Sequence, residues 1–133
     1  MKRVYITFLL SIIFVGCNRI HINNAESLLN ASLEGKVRYL TSEEYWQTYG
    51  GDGYRVEIYQ ILDEVYLVTK SLNEHFDTFD CRQQNDTNGM SPDYIQFIEN
   101  GAGYYRKVWK ETEINELVID TINNKMIYYY CYL

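Results

Sequence analysis

The side chains with the widest chemical repertoire crowd into Glu74-His75-Phe76-Asp77-Thr78-Phe79-Asp80. An imidazole titrates near neutral pH, and in an extended chain a carboxylate two positions on lies on the same side. His75 and Asp77 therefore fit a general base with its orienting partner, or two ligands of one metal ion. Neither arrangement is complete. No nucleophile or third ligand is identifiable beside them, and the only other histidine, His21, sits far upstream. A solvated loop that buries its two phenylalanines accounts for the segment more simply, so no catalytic residue, metal ligand or cofactor is assigned. Asp86-Thr87-Asn88-Gly89 opens like a calcium loop, but its fifth position is Met90 and its twelfth Phe97, where oxygen ligands are needed. Gly50-Gly51-Asp52-Gly53 and Gly101-Ala102-Gly103 lack the lysine and the strand-to-helix context of a phosphate cradle, and read as turns. The signatures of the familiar hydrolases and zinc sites are absent, and the chain is not expected to be an enzyme. The alternative that stays open is a small envelope hydrolase or metal-dependent enzyme centred on His75 and Asp77.

The N-terminus supplies an address. Met1-Lys2-Arg3 precedes an apolar stretch from Val4 to Val15, followed by Gly16-Cys17, the order of charge, apolar run and small residue that marks an export signal. The run of about 12 residues makes a helix of roughly 18 Å, too short for a bilayer core of about 30 Å. Phe14-Val15-Gly16-Cys17 resembles the lipobox of bacterial lipoproteins, with Phe14 standing where that pattern has an aliphatic residue. The resemblance covers residues 1–17. It implies cleavage before Cys17, a diacylglycerol thioether on its sulfur, and an acylated amino group. The organisation expected is then a signal peptide over 1–16, a lipidated cysteine and tether over 17–24, and a single domain over 25–133. Asn18 replaces the aspartate that retains such proteins at the inner membrane, so the resemblance favours an outer-membrane anchor facing the periplasm.

Once Cys17 carries lipid, Cys81 and Cys131 remain, and outside the cytoplasm such a pair is expected to form a disulfide. Closing a loop of about 50 residues would contribute roughly 4 kcal/mol. The competing reading is a Cys81 thiolate assisted by His75. Of the 14 tyrosines, Tyr128, Tyr129 and Tyr130 run consecutively. On a strand, Tyr129 shares a face with Cys131, whereas Tyr128, Tyr130 and Tyr132 share the other and form a candidate recognition surface.

These residues must be held by a small α+β domain, an antiparallel sheet of about five or six strands with two or three short helices. Leu28, Leu29 and Leu33 predict a helix over Ala25–Glu34, capped by Asn24 and followed by Gly35. Lys36–Leu40 fits a strand, and Ser42-Glu43-Glu44 opens a turn or helix. Tyr54–Ile61 alternates as a half-buried strand and is expected to form a hairpin with Val65–Lys70. A long polar loop follows over Ser71–Gly89. Ser91-Pro92-Asp93 starts a helix that Gly101 closes. Tyr104–Lys110 is a strand, and Ile114–Ile122 with Lys125–Leu133 forms a terminal hairpin about Asn123-Asn124.

With 47% hydrophobic and 16% aromatic residues, the 133-residue chain is no disordered polymer. Removing residues 1–16, Lys2 and Arg3 among them, leaves 117 residues and shifts the net charge from −6 to −8. That charge repels nucleic acid and anionic headgroups, so membrane attachment rests on acyl chains. The expectation is a non-catalytic, lipid-anchored envelope protein binding another macromolecule. An inhibitor or immunity-type protein for a basic target is one version, and a glycan-binding module is an alternative.

Overall fold

The computed structural model describes residues 22–47, 51–63, 75–83 and 89–133. The leader, Cys17 and the first part of the tether lie outside the described residues, as do Val65–Lys70 and the stretch 84–88. A helix, α1, spans residues 22–29. Six strands follow: β1 (Val37–Trp46), β2 (Gly53–Ile61), β3 (Asp77–Asp80), β4 (Ala102–Lys110), β5 (Glu113–Asp120) and β6 (Lys125–Tyr132). A one-turn helix, α2 (Pro92–Ile95), precedes β4. All strand pairs are antiparallel, in the order β1-β2-β6-β5-β4-β3. The fold is a small α+β architecture dominated by its sheet. The chain divides after Leu33, with α1 in the N-terminal unit and the sheet in Glu34–Leu133.

Local chemistry explains most of the boundaries. Asn30 takes a left-handed φ of 56° and ends α1, after which the Glu26 carboxylate accepts the Leu33 N–H at 2.7 Å. Leu33 therefore lies beyond the helix, which stops earlier than its leucine spacing predicts. The β5–β6 turn is set by Asp120, whose Oδ1 accepts the backbone N–H groups of Ile122 and Asn123, each at 3.1 Å, while Asn124 adopts φ 52°. Asparagine tolerates that conformation, as the sequence required. The helix expected from Ser91 to Gly101 is shorter than predicted. It continues past Ile95 only as tight turns, with the Phe97 N–H on the Tyr94 carbonyl and the Ile98 N–H on that of Ile95.

Two other expectations are corrected. Ser42-Glu43-Glu44 does not open a helix: it lies in β1, which pairs with β2 along its length and bulges between Tyr39 and Thr41. Both edges of β2 are occupied, by β1 and β6, so β2 has no edge left for a hairpin with Val65–Lys70.

Register also overturns the disulfide. Asp80, next to Cys81, pairs with Ala102, while Gly103 aligns with Asp120 and, through it, with Lys125. Cys131 lies six residues further along β6, about 20 Å away at about 3.3 Å per residue, and three strands across. A disulfide needs Cα atoms within about 7 Å. Both cysteines are thiols, lining one apolar cluster at separate places.

One face of the sheet carries that cluster. Val56, Ile58, Ile127, Val118 and Tyr105 form its floor, and Met90, Tyr94 and Ile98 around α2 cover it. The opposite face is buried as well at Tyr59, Leu117, Ile119, Met126 and Tyr128. There Glu57 is buried at 1% exposure, accepting the Arg55 Nε–H and the Tyr59 hydroxyl, each at 2.7 Å.

Candidate functional site

His75 and Asp77 are both exposed, and Asp77 begins β3 opposite Tyr105. Among the described residues no three His, Cys, Asp or Glu side chains converge in a metal-binding geometry. Phe76 and Phe79 are buried, but Asp77–Asp80 is a strand rather than loop, with Phe79 pointing into the core. Asp80 turns back on its own chain: its two oxygens accept the Arg82 Nε–H and Nη2–H, each at 2.8 Å, and Oδ1 also takes the Arg82 backbone N–H at 3.0 Å. Those bonds lower the Asp80 pKa to about 2.

The tyrosines of β6 divide differently from the sequence expectation. Tyr128 is only 1% exposed, and its hydroxyl donates to Asn115 Oδ1 at 2.6 Å, so it is a core residue and not part of a recognition surface. Tyr130 is half-buried, its ring 6.4 Å from that of Trp46, and Tyr132 is exposed. The surface that remains lies at one end of the sheet. Register aligns Tyr45, Tyr54, Cys131, Ile114 and Trp109 in one row, and Trp46, Gly53, Tyr132, Glu113 and Lys110 in the next. In these rows and the adjoining C-terminus, Tyr45 is 56% exposed, Trp46 43%, Trp109 59%, Tyr132 37% and Leu133 55%. Gly53 makes this end possible, since a Cβ there would strike the Trp46 ring and the Tyr45 carbonyl.

The exposed rings are tied to the core. Ring centroids of Tyr45 and Tyr54 lie 6.0 Å apart, those of Tyr54 and Tyr129 6.0 Å, and those of Tyr129 and Tyr94 5.4 Å. Carboxylates border the rings: Glu44 accepts the Trp46 indole N–H at 3.2 Å and the Arg55 guanidinium at 3.2 Å. An open depression of about 490 Å³, lined by Lys110, Glu111, Thr112 and Glu113, adjoins them at the β4–β5 turn. Burial, then the nearby Glu113 carboxylate, raises the Tyr130 pKa; burial, then the charge on Asp93, raises that of Tyr54.

A second polar group lies inside the sheet face beneath α2. Glu116 is fully buried, with the Lys107 Nζ 3.3 Å from Oε1 as its counter-ion, and the Tyr94 hydroxyl is buried with it. Neither Glu116 oxygen nor the Tyr94 hydroxyl has an aligned hydrogen-bond partner among the described residues. Burial, then the Glu116 charge, holds the Tyr94 phenol protonated well above its ordinary range. Tyr129 contrasts with it, donating to Asp93 Oδ2 at 2.6 Å.

The sheet end sets aromatic faces beside carboxylates, groups that can stack on rings and attract cations. Tyr45, Trp46 and Trp109 were not singled out by the sequence reading. Their signal is nearness to turns: Tyr45 and Trp46 precede the Gly50–Gly53 breaker, and Trp109 is the penultimate residue of β4. Glu116 announces itself only as the charged member of the apolar alternation Ile114, Glu116, Val118. No protein-family model, curated protein or solved structure matches the chain.

Proposed function

We propose that this chain is a lipid-anchored protein of the bacterial envelope whose domain is a non-catalytic binding module. It docks a protein with a basic surface through the aromatic end of its sheet. The observation that carries the reading is the placement of Tyr45, Trp46, Trp109, Tyr132 and Leu133, all large, apolar and exposed, in neighbouring rows of one end. Isolated exposed apolar residues are ordinary on a protein surface, but a cluster of this kind is a feature of interaction sites. Tryptophan and tyrosine are also the residues that anchor protein interfaces.

The net charge of −6, falling to −8 with the leader removed, selects the partner's sign. Acidic charge speeds encounter with a basic partner, and arginine side chains can stack on Trp46 or Trp109 while pairing with Glu44 or Glu113. An inhibitor or immunity-type role against a basic, envelope-acting toxin or hydrolase fits this chemistry. The outer-membrane anchor at Cys17 would hold the domain where such a target acts.

Affinity capture of the anchored chain from envelope extracts tests the proposal, with Trp109→Ala/Tyr132→Ala and His75→Ala run in parallel. A basic protein retained by the parent and by His75→Ala, but lost with the double variant, is the expected result. Retention of the same partner by the double variant overturns the aromatic docking surface. Loss of a hydrolytic activity on His75→Ala, with the fold intact, overturns the non-catalytic reading.

A further inference from the structure

The outer edge of β1 is the longest interaction-competent feature that the aromatic end does not explain. Strand β1 has ten residues, eight of them exposed, and it is a terminal strand of the sheet, with β2 on its inner side. It carries Tyr39 and Leu40 exposed at 42% and 45%, as well as Tyr45 and Trp46. An apolar edge of this length is a template for another strand unless charge or a bulge prevents pairing. This edge has both devices, with Arg38, Glu43 and Glu44 along it and the bulge at Leu40. Their placement decides which strand can add.

The pairing with β2 fixes the faces. Arg38, Thr41 and Glu43 lie opposite Gln60, Ile58 and Val56, alternate residues of β2, and so share one face. Val37, Tyr39, Ser42 and Glu44 lie opposite Ile61, Tyr59, Glu57 and Arg55, and share the other. The hydrogen bond from the Tyr39 hydroxyl to Ser42 Oγ, at 2.9 Å across three positions, reflects the same shift. In an unbulged strand Arg38 and Glu43 would point to opposite faces. The extra residue brings them to the same one.

We infer that β1 pairs with β1 of a second copy, antiparallel about a two-fold axis between Leu40 and Thr41. In that register Arg38 lies opposite Glu43 of the second copy, Tyr39 opposite Ser42, and Val37 opposite Glu44, every pair on a common face. Opposite charges meet twice, once on each side of the axis, which is the favourable cross-strand arrangement. A two-fold axis at Glu43 or Glu44 would instead set that glutamate against its own copy. An axis at Ser42 would meet the bulge after one flanking pair and lose face agreement. The charges and bulge that exclude other strands thus select this one, joining two six-stranded sheets into one.

A charge-reversal cycle on the full-length chain in detergent micelles tests the inference, read by sedimentation. The parent is expected to sediment as a dimer. Arg38→Glu and Glu43→Arg should each weaken dimerisation by about tenfold or more, and the combined variant should restore it, because both pairs reverse together. A Leu40→Cys/Thr41→Cys variant should give an oxidatively crosslinked dimer beyond any formed by the parent's own cysteines. A monomeric parent overturns the proposal, as does a cycle without rescue or a new cysteine pair that crosslinks to another protein instead. The edge shares Glu44, Tyr45 and Trp46 with the aromatic docking surface, whereas Arg38 belongs to the edge alone and Trp109 and Tyr132 to the docking surface alone. Trp109→Ala/Tyr132→Ala should leave the dimer intact, and Arg38→Glu should leave partner capture intact, so either proposal can fail alone.

Discussion

Tyr94→Phe and Tyr129→Phe delete the same atom from two rings in contact, and their effects on stability should differ in sign. The centroids lie 5.4 Å apart and both residues are buried, so ring packing is common to the two substitutions. The hydroxyls differ. That of Tyr129 donates to the Asp93 carboxylate at 2.6 Å, whereas that of Tyr94 has no aligned partner among the described residues. A buried hydroxyl without a hydrogen bond carries a desolvation penalty of about 1–3 kcal/mol, which its removal relieves. The void left by one oxygen, at about 24 cal/mol per Å³, offsets only a few tenths of a kcal/mol. Tyr94→Phe is therefore expected to stabilise the fold by about 1–2 kcal/mol. Loss of the charge-assisted bond in Tyr129→Phe should cost about 1.5–3 kcal/mol and leave Asp93 without that donor. The two variants should then differ by about 3 kcal/mol, roughly 10 °C in melting temperature for a chain of this size. Paired urea and thermal unfolding measures it. Equal destabilisation by both would mean that Tyr94 bonds to Glu116 in solution, refuting the reading of Glu116 and Tyr94 as a polar pair without satisfied hydrogen bonds.

Reductant, or Cys81→Ser/Cys131→Ser, should leave chemical stability within about 1 kcal/mol of the parent after allowing for the burial of each thiol, whereas a bridged pair would lose about 4 kcal/mol. Tyr59, Tyr94 and Tyr129 have ionisation raised above the ordinary tyrosine value of 10.0, chiefly by burial. Their protons are retained in the folded state and released on unfolding above pH 10, so stability should be flat in these groups below pH 10. Above it, stability should fall by about 1.4 kcal/mol per pH unit for each of them. Phenolate absorbance should show the buried tyrosines titrating only as near-ultraviolet circular dichroism is lost. Gly103→Ala should destabilise by about 2 kcal/mol or more, because a Cβ there meets the Ile119 carbonyl in the neighbouring strand. Equilibrium unfolding that left Gly103→Ala at parental stability would contradict the close approach of β4 and β5.

Where local pattern and tertiary pairing agree, the fold was legible. Lys125–Leu133 alternates Ile127, Tyr129 and Cys131 against Met126, Tyr128 and Tyr130, and Asn124 supplies the turn, so β6 could be read directly. Residues 41–46 carry a glutamate pair and two aromatics, a local pattern equally suited to a helical turn. Only pairing with β2 across a bulge makes them strand. Burial misled the reading of Tyr128 because alternation gives two faces but does not say that both are covered. The disulfide failed for a related reason: the redox compartment says that two thiols can join, while only register says how far apart they are.

That two-sided burial also locates any contact surface. An antiparallel sheet with one wet face can bind through that face. Here Val118 and Ile127 on one face and Leu117 and Met126 on the other are all 0% exposed, so the centre of the sheet presents nothing to a partner. At its perimeter, exposed large apolar side chains lie in the end rows and along β1, with Leu62 after β2 and Ile122 in the β5–β6 turn apart from them. The end offers side chains without an open ladder, suited to a folded surface with stacking cations. The proposed β1 pairing uses backbone donors and acceptors, with charges placed so that Arg38 meets Glu43 when a second copy runs antiparallel. The two proposals therefore assign a foreign partner and a second copy to different chemistry at the perimeter of one sheet.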